Sequence, residues 1–199
     1  MNIKFWLKPF LLSTLFCFIF ALPARAGEPF EVVKAGVEKV IQILRDPKYL
    51  PKEKKQDRVD RIREVVDPLF DYDEMAKRAL GAHWRRRTPA EQEEFVKLFR
   101  EFLGKTYAEK IELYESEKVS FGRETIDQDF AQVETAIINA KGEQFAVVYR
   151  LHRTEGVWKV YDAVVENISV VNNYRSQFDR VISSSSYQEL VKRLKAKLG

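Results

Sequence analysis

The sequence is short of nearly everything that reactive or cross-linked proteins use. Its 199 residues include one cysteine, Cys17, two histidines and two methionines. A single cysteine forms no internal disulfide, so the fold rests on its apolar core. His83 and His152 fall on different predicted elements, and no His/Cys/Asp spacing suits zinc, so no metal is expected. Neither a Gly-rich phosphate loop nor a Ser in a nucleophile elbow is present, so no cofactor is expected either. Beyond residue 22 no apolar run approaches the ~20 residues of a membrane-spanning helix.

What is present begins with a leader. Lys4 and Lys8 precede the apolar run Phe10 to Leu22, which is followed by Pro23-Ala24-Arg25-Ala26. A basic start, a short apolar middle and an Ala-x-Ala end predict a signal peptide over 1–26, cleaved after Ala26, with a single domain over 27–199. Leu15 and Phe16 precede Cys17 where a lipoprotein signal needs small residues, so a lipid anchor is not expected. Loss of Lys4, Lys8 and Arg25 takes the net charge from +4 to +1, which gives no ground for nucleic-acid binding.

The mature part reads as helices, then strands, then helices. Val33, Val37, Val40, Ile41 and Leu44 recur at helical spacing, and Pro47 and Pro51 end that run. Lys52 to Asp67 carries alternating charge and a thin apolar stripe. Asp71 with Glu74, Thr88-Pro89-Ala90-Glu91, and Ser186 with Glu189 are N-terminal capping signals for three more helices. Strands are predicted at Val119–Phe121, Val133–Ile138, Phe145–Leu151 and Val157–Val165, with turns at Asn139–Gly142 and Thr154–Gly156. The fold class is α+β: an antiparallel curved sheet of four to five strands under several helices, enclosing an apolar cavity.

The cavity is expected because too many apolar faces need burial at once. Side chains alternate faces along a strand, so Phe145, Val147, Tyr149 and Leu151 form the apolar side of one strand. Trp158 and Val160 are the inward pair of the next, Val164 closes the sheet side, and Phe99, Phe102, Tyr174 and Phe178 form a helical lid. An apolar wall with few convergent polar groups suits binding more than catalysis. The competing reading is a small cone-shaped α+β enzyme, an isomerase or dehydratase, using Asp162 and Tyr174 near Tyr161 and Arg150. Trp84-Arg85-Arg86-Arg87 is the sharpest basic cluster. It suits a lipid phosphate, a membrane surface or an acidic partner, or is simply a solvated helix end.

A set of short motifs carries a resemblance. They are Phe70-Asp71-Tyr72, Met75 to Gly81, Trp84-Arg85, and Thr88-Pro89-x-Glu91-Gln92-x-x-Phe95, then Thr106-Tyr107, Tyr149-Arg150-Leu151, Trp158 to Asp162, and Val171-x-x-Tyr174-Arg175-x-x-Phe178. In this order and spacing, over about residues 30 to 195, they resemble the MlaC (toluene-tolerance) family of periplasmic phospholipid-binding proteins. Two departures stand out: Asn167 where the family usually has Gly, and the polar pair Asn172-Asn173. Asn tolerates a left-handed backbone, so the turn can survive. The resemblance implies a soluble, monomeric carrier of phospholipid tails. Such a carrier works between an inner-membrane ABC-type transporter and an outer-membrane lipoprotein complex, and helps keep outer-membrane lipid asymmetric. It implies no catalytic residue. The lipid headgroup would stay at the mouth, near Arg150 or Arg85, Arg86 and Arg87, because an unpaired buried phosphate is too costly.

Overall fold

Capping chemistry sets the helix starts. The computed structural model describes residues 29–111, 118–139 and 141–199, and their side chains except at 108–111; the predicted signal peptide therefore lies outside the described residues. Helix α1 spans Pro29–Arg45 and α2 spans Lys55–Val66. Asp71 accepts the Glu74 amide at 2.9 Å and starts α3, Tyr72–Leu80. Gly81 ends α3 at φ 56°, ψ −125°, and a 3₁₀ turn runs from Gly81 to Arg86. Thr88 and Glu91 cap reciprocally: the Glu91 amide donates to Thr88 Oγ1 at 3.2 Å, and the Thr88 amide to Glu91 Oε2 at 2.8 Å. The long helix α4, Pro89–Ile111, follows.

The sheet is a five-stranded antiparallel meander in chain order. Its strands are β1 Lys118–Asp127, β2 Phe130–Ile138, β3 Gln144–Thr154, β4 Val157–Val165 and β5 Ile168–Ser169. Strand β1 runs well past the predicted Val119–Phe121. A register shift between Phe121 and Glu124 breaks the alternation that marks a strand in sequence. The β3–β4 and β4–β5 turns are two-residue hairpins with positive φ at both central positions, Glu155 and Gly156, then Glu166 and Asn167. Asn167 takes φ 64°, so it fills the left-handed position in place of glycine.

Helices α5, Val170–Ser184, and α6, Tyr187–Leu198, complete the chain. Helices α3 to α6 bury one apolar cluster around Phe95, Phe99, Phe102, Tyr174, Phe178 and Leu190, and Ala163 of β4 packs against it. A second cluster joins Val33 of α1 to Ala131, Val133, Leu151, Trp158 and Val160 of the sheet. Phe70 bridges to Val160, and the Asp71 amide donates to the Val160 carbonyl at 2.8 Å. The start of α3 thus extends the edge of β4, an arrangement no local pattern announces. No helix among the described residues is long and apolar enough to cross a membrane.

Candidate functional site

The sequence-predicted residues divide between the two clusters. Phe99, Phe102, Tyr174 and Phe178 meet one another. Phe99 and Phe102 lie 5.6 and 5.3 Å from Tyr174, edge to face, and Phe178 lies 5.6 Å from both Phe99 and Tyr174. Leu151, Trp158 and Val160 pack instead beneath α1, among Val33, Phe30 and Phe70. The helical aromatics do not lie over them. Phe145 stands 41% exposed at the end of β3.

Strand register places the rest. Val147 pairs with Thr135 and Val165, and Tyr149 with Val133 and Ala163, so these share one face with Leu151. Val164 pairs with Val148 and falls on the opposite face, that of Arg150 and Asp162. The reason is a bulge: Arg150 pairs with Asp162 but Leu151 with Val160, so one extra residue of β4 reverses its parity. Even-numbered side chains that face inward at Trp158 and Val160 face the other way at Val164. Of the predicted sheet side, Val147 and Tyr149 therefore remain beside Ala163, which touches the helical cluster.

Tyr149 marks the boundary between the two clusters. Burial raises its phenol above the usual tyrosine range, and the residue is half-buried. Val147 is buried on the same face but belongs to neither cluster. Tyr107 of α4 has its phenol raised to about 12 by burial, with repulsion from nearby Tyr174 and Asp162 adding to the shift. Sequence reading singled out Tyr107 only within the Thr106-Tyr107 motif; its neighbourhood with Asp162 spans 55 residues of chain and has no local signature.

The Asp162 carboxylate is buried and held by three donors. It is 3% exposed. Its carboxylate accepts from Arg150 Nη1 at 3.2 Å, Ser169 Oγ at 2.6 Å and the Val171 amide at 3.1 Å. Ser169 in turn accepts the Asn172 amide at 3.0 Å as the N-cap of α5. Carboxylate and hydroxyl together satisfy the second and third amides of α5, where the helix dipole also favours negative charge. Arg150 is taken up by this network. Tyr174, the other candidate acid/base, has its phenol raised by burial among the aromatic rings.

The basic cluster also separates. Arg87 pairs with Glu91 at 3.3 Å and lies over the Tyr187 ring at 4.5 Å, so it is part of the packing. Arg85 and Arg86 are exposed. Two clefts open beside the helices. One, of about 290 Å³, is lined by Phe102, Lys105, Thr106, Tyr174, Gln177 and Lys197. The other, of about 250 Å³, lies between the 3₁₀ turn and α5. Neither reaches the roughly 300–1,000 Å³ typical of a small-molecule pocket.

Known proteins share this architecture. The sequence model of a family described as MlaC protein matches residues 34–196. The intermembrane phospholipid transport system binding protein MlaC of Haemophilus influenzae is 23% identical over 174 residues, covering 85% of this chain and 76% of that protein. The toluene tolerance protein ttg2D of Pseudomonas putida is 23% identical over 159 residues, covering 79% and 74%. A solved phospholipid-binding protein from Ralstonia solanacearum, in complex with a phospholipid, superposes with a TM-score of 0.75. It is 26% identical, and the match covers 86% of this chain and 97% of that one.

Proposed function

We propose, from the premise that the chain belongs to the MlaC protein family, that it is a phospholipid carrier. It holds acyl tails between the sheet and helices α4 and α5, and moves lipid between an inner-membrane ABC-type transporter and an outer-membrane lipoprotein complex. Residues 1–26 are read as an export signal and 27–199 as one lipid-binding domain, monomeric and working in the periplasm. The observation that carries the reading is the pair Val147 and Tyr149, which share one face of β3 beside Ala163, between the α1–sheet cluster and the helical aromatic cluster. The bound phospholipid in the Ralstonia solanacearum protein and the transport role in the name of the Haemophilus influenzae protein support it.

Energetics require such an enclosure. Each acyl CH₂ kept from water is worth ~0.8 kcal/mol. Two ordinary chains left exposed would cost on the order of 20 kcal/mol or more. A bilayer shields the tails about equally well, so loading need only be near neutral, and direction comes from the partners. Tails enter only if groups now in contact separate. On this reading Val147, Tyr149, Phe102 and Tyr174 line the widened space, with Phe99 and Phe178 behind them. Leu151, Trp158 and Val160 support the sheet from beneath α1. The enzyme alternative is not carried forward, because the Asp162 carboxylate is enclosed and engaged by three donors.

Organic-solvent extraction of the purified protein tests the reading. Phospholipid should be recovered, and Val147→Glu should lose most of it by placing a charge among the tails. Recovery of no phospholipid from the parent chain, or a full load on Val147→Glu, overturns it.

A further inference from the structure

Three arginines on one surface have no ion-pair partner among the described residues. Gly81 opens the 3₁₀ turn at φ 56°, and a Cβ there would meet Arg175 Nε of α5 at 2.8 Å. Glycine at this point lets the Arg175 guanidinium lie against the turn. It borders the cleft of about 250 Å³ lined by Leu80, Ala82, Ser176 and Asp179. One residue along the turn, His83 Nε2 holds Asp179 Oδ1 at 2.8 Å, a second tie between turn and helix. In a 3₁₀ helix residues three apart eclipse. Arg85 therefore stands over Ala82 at the cleft, and Arg86 over His83. Arg85, Arg86 and Arg175 make no ion pair or side-chain hydrogen bond among the described residues, unlike their neighbour Arg87.

We propose that this surface docks a carboxylate-bearing segment of a partner protein, with one carboxylate entering the cleft beside Arg175. The proposal deepens the carrier reading and rests on it for its setting, since a carrier must meet partners to load and unload. Three features favour a protein segment over an anionic membrane. The cations named here are arginines, whose planar fork matches a carboxylate with two parallel hydrogen bonds. Asp179, with its side chain 63% exposed, stands among them. A continuous anionic surface would press charge against it, whereas a discrete segment sets its carboxylates on the arginines and passes Asp179 by. Among the described residues the exposed large apolar side chains lie on the sheet, save Leu50 after α1, and Trp84 of the turn packs against the helical cluster, so this surface offers no exposed apolar side chain to insert among lipids.

The test uses a fluorescent twelve-residue peptide of alternating Glu and Gly, titrated at low salt into the full chain by anisotropy. Arg175→Gln, and the pair Arg85→Gln with Arg86→Gln, should each weaken binding about tenfold or more. Lys39→Gln with Lys52→Gln, which removes the same charge on α1 and before α2, should leave it unchanged. Arg175→Lys should fall between, since it keeps charge but loses the fork. Phospholipid extracted per chain should be the same in Arg175→Gln and Arg175→Lys as in the parent chain. No peptide binding by the parent chain, or equal loss in the lysine control, overturns the proposal. So does loss of sedimentation with phosphatidylglycerol vesicles in the arginine variants while peptide affinity is retained. A parent chain that binds peptide in this pattern yet yields no lipid overturns the carrier reading and leaves the docking surface standing.

Discussion

Replacing Asp162 by Asn keeps the shape of the side chain and removes its ability to accept from three directions. In the native arrangement Arg150, Ser169 and the Val171 amide all donate to it. An amide offers one oxygen. If that oxygen keeps the Val171 bond at the start of α5, the NH₂ faces the other two donors. Ser169 can turn its hydroxyl and accept; Arg150 cannot. One charge-assisted bond is lost and a half-buried guanidinium hydrogen is left opposed, at a cost of about 1–3 kcal/mol. For a domain of this size that is roughly 2–4 °C of Tm per kcal/mol. Asp162→Ala strands all three donors and should cost about 3–5 kcal/mol. Urea unfolding followed by circular dichroism should show the midpoint falling with an unchanged slope. Asp162→Asn combined with Arg150→Gln should cost less than the sum of the two, because both act on one network. Unchanged midpoints for Asp162→Asn and Asp162→Ala would refute the reasoning. A stable, lipid-loaded but inactive Asp162→Asn would point back to acid/base chemistry.

Phe99→Ala, at a fully buried position in ring contact with Phe95, Tyr174 and Phe178, should cost about 3–5 kcal/mol; a loss under about 1 kcal/mol in urea titration would mean the cluster is loosely packed. Tyr107 is raised from 10.0 to about 12 in the folded state, so the neutral phenol's contribution is complete below pH 10 and lost as pH rises through 12. Tyr107→Phe should therefore lose less stability than the parent chain between pH 10 and 12, and parallel melting curves across that window would contradict this. Asn167→Val forces a β-branched residue to φ 64° and should lower stability by about 1–2 kcal/mol, while Asn167→Gly should be neutral or slightly stabilising; thermal melts of the pair decide.

Much of the architecture is readable where local chemistry dictates it. The Asp71, Thr88 and Ser186 caps mark their helices because side-chain oxygens at those spacings have amides to satisfy. Alternation in β3 puts Val147, Tyr149 and Leu151 on one face, as the register has them. The second half of β1 is not readable: Gly122-Arg123-Glu124 has no alternation, and its strand state depends on pairing with β2 and on Glu124 holding the Phe30 amide at 2.6 Å. The side of Val164 is not readable either, because the bulge that reverses β4 is held by Asp162 reaching across to α5. Nor does any periodicity say that α1, rather than the aromatic helices, covers Leu151, Trp158 and Val160. Charge runs carry least. Arg85, Arg86 and Arg87 sit side by side in sequence, and it is Glu91 one turn on, with the ring of Tyr187 a hundred residues further, that distinguishes the third.

The strand order has a consequence for how the chain assembles. Each strand of the meander pairs with its predecessor, so a chain appearing amino end first can zip the sheet hairpin by hairpin. The aromatic face of α4 has no such convenience. Phe95, Phe99 and Phe102 receive Tyr174, Phe178 and Tyr187 only from the last two helices. Until those arrive, a long helix stands with a row of phenyl rings in water beside a sheet already formed. Synthesis or threading that stalls before residue 170 leaves that row exposed, so this interval is when the chain most needs a holding chaperone and is most prone to aggregate.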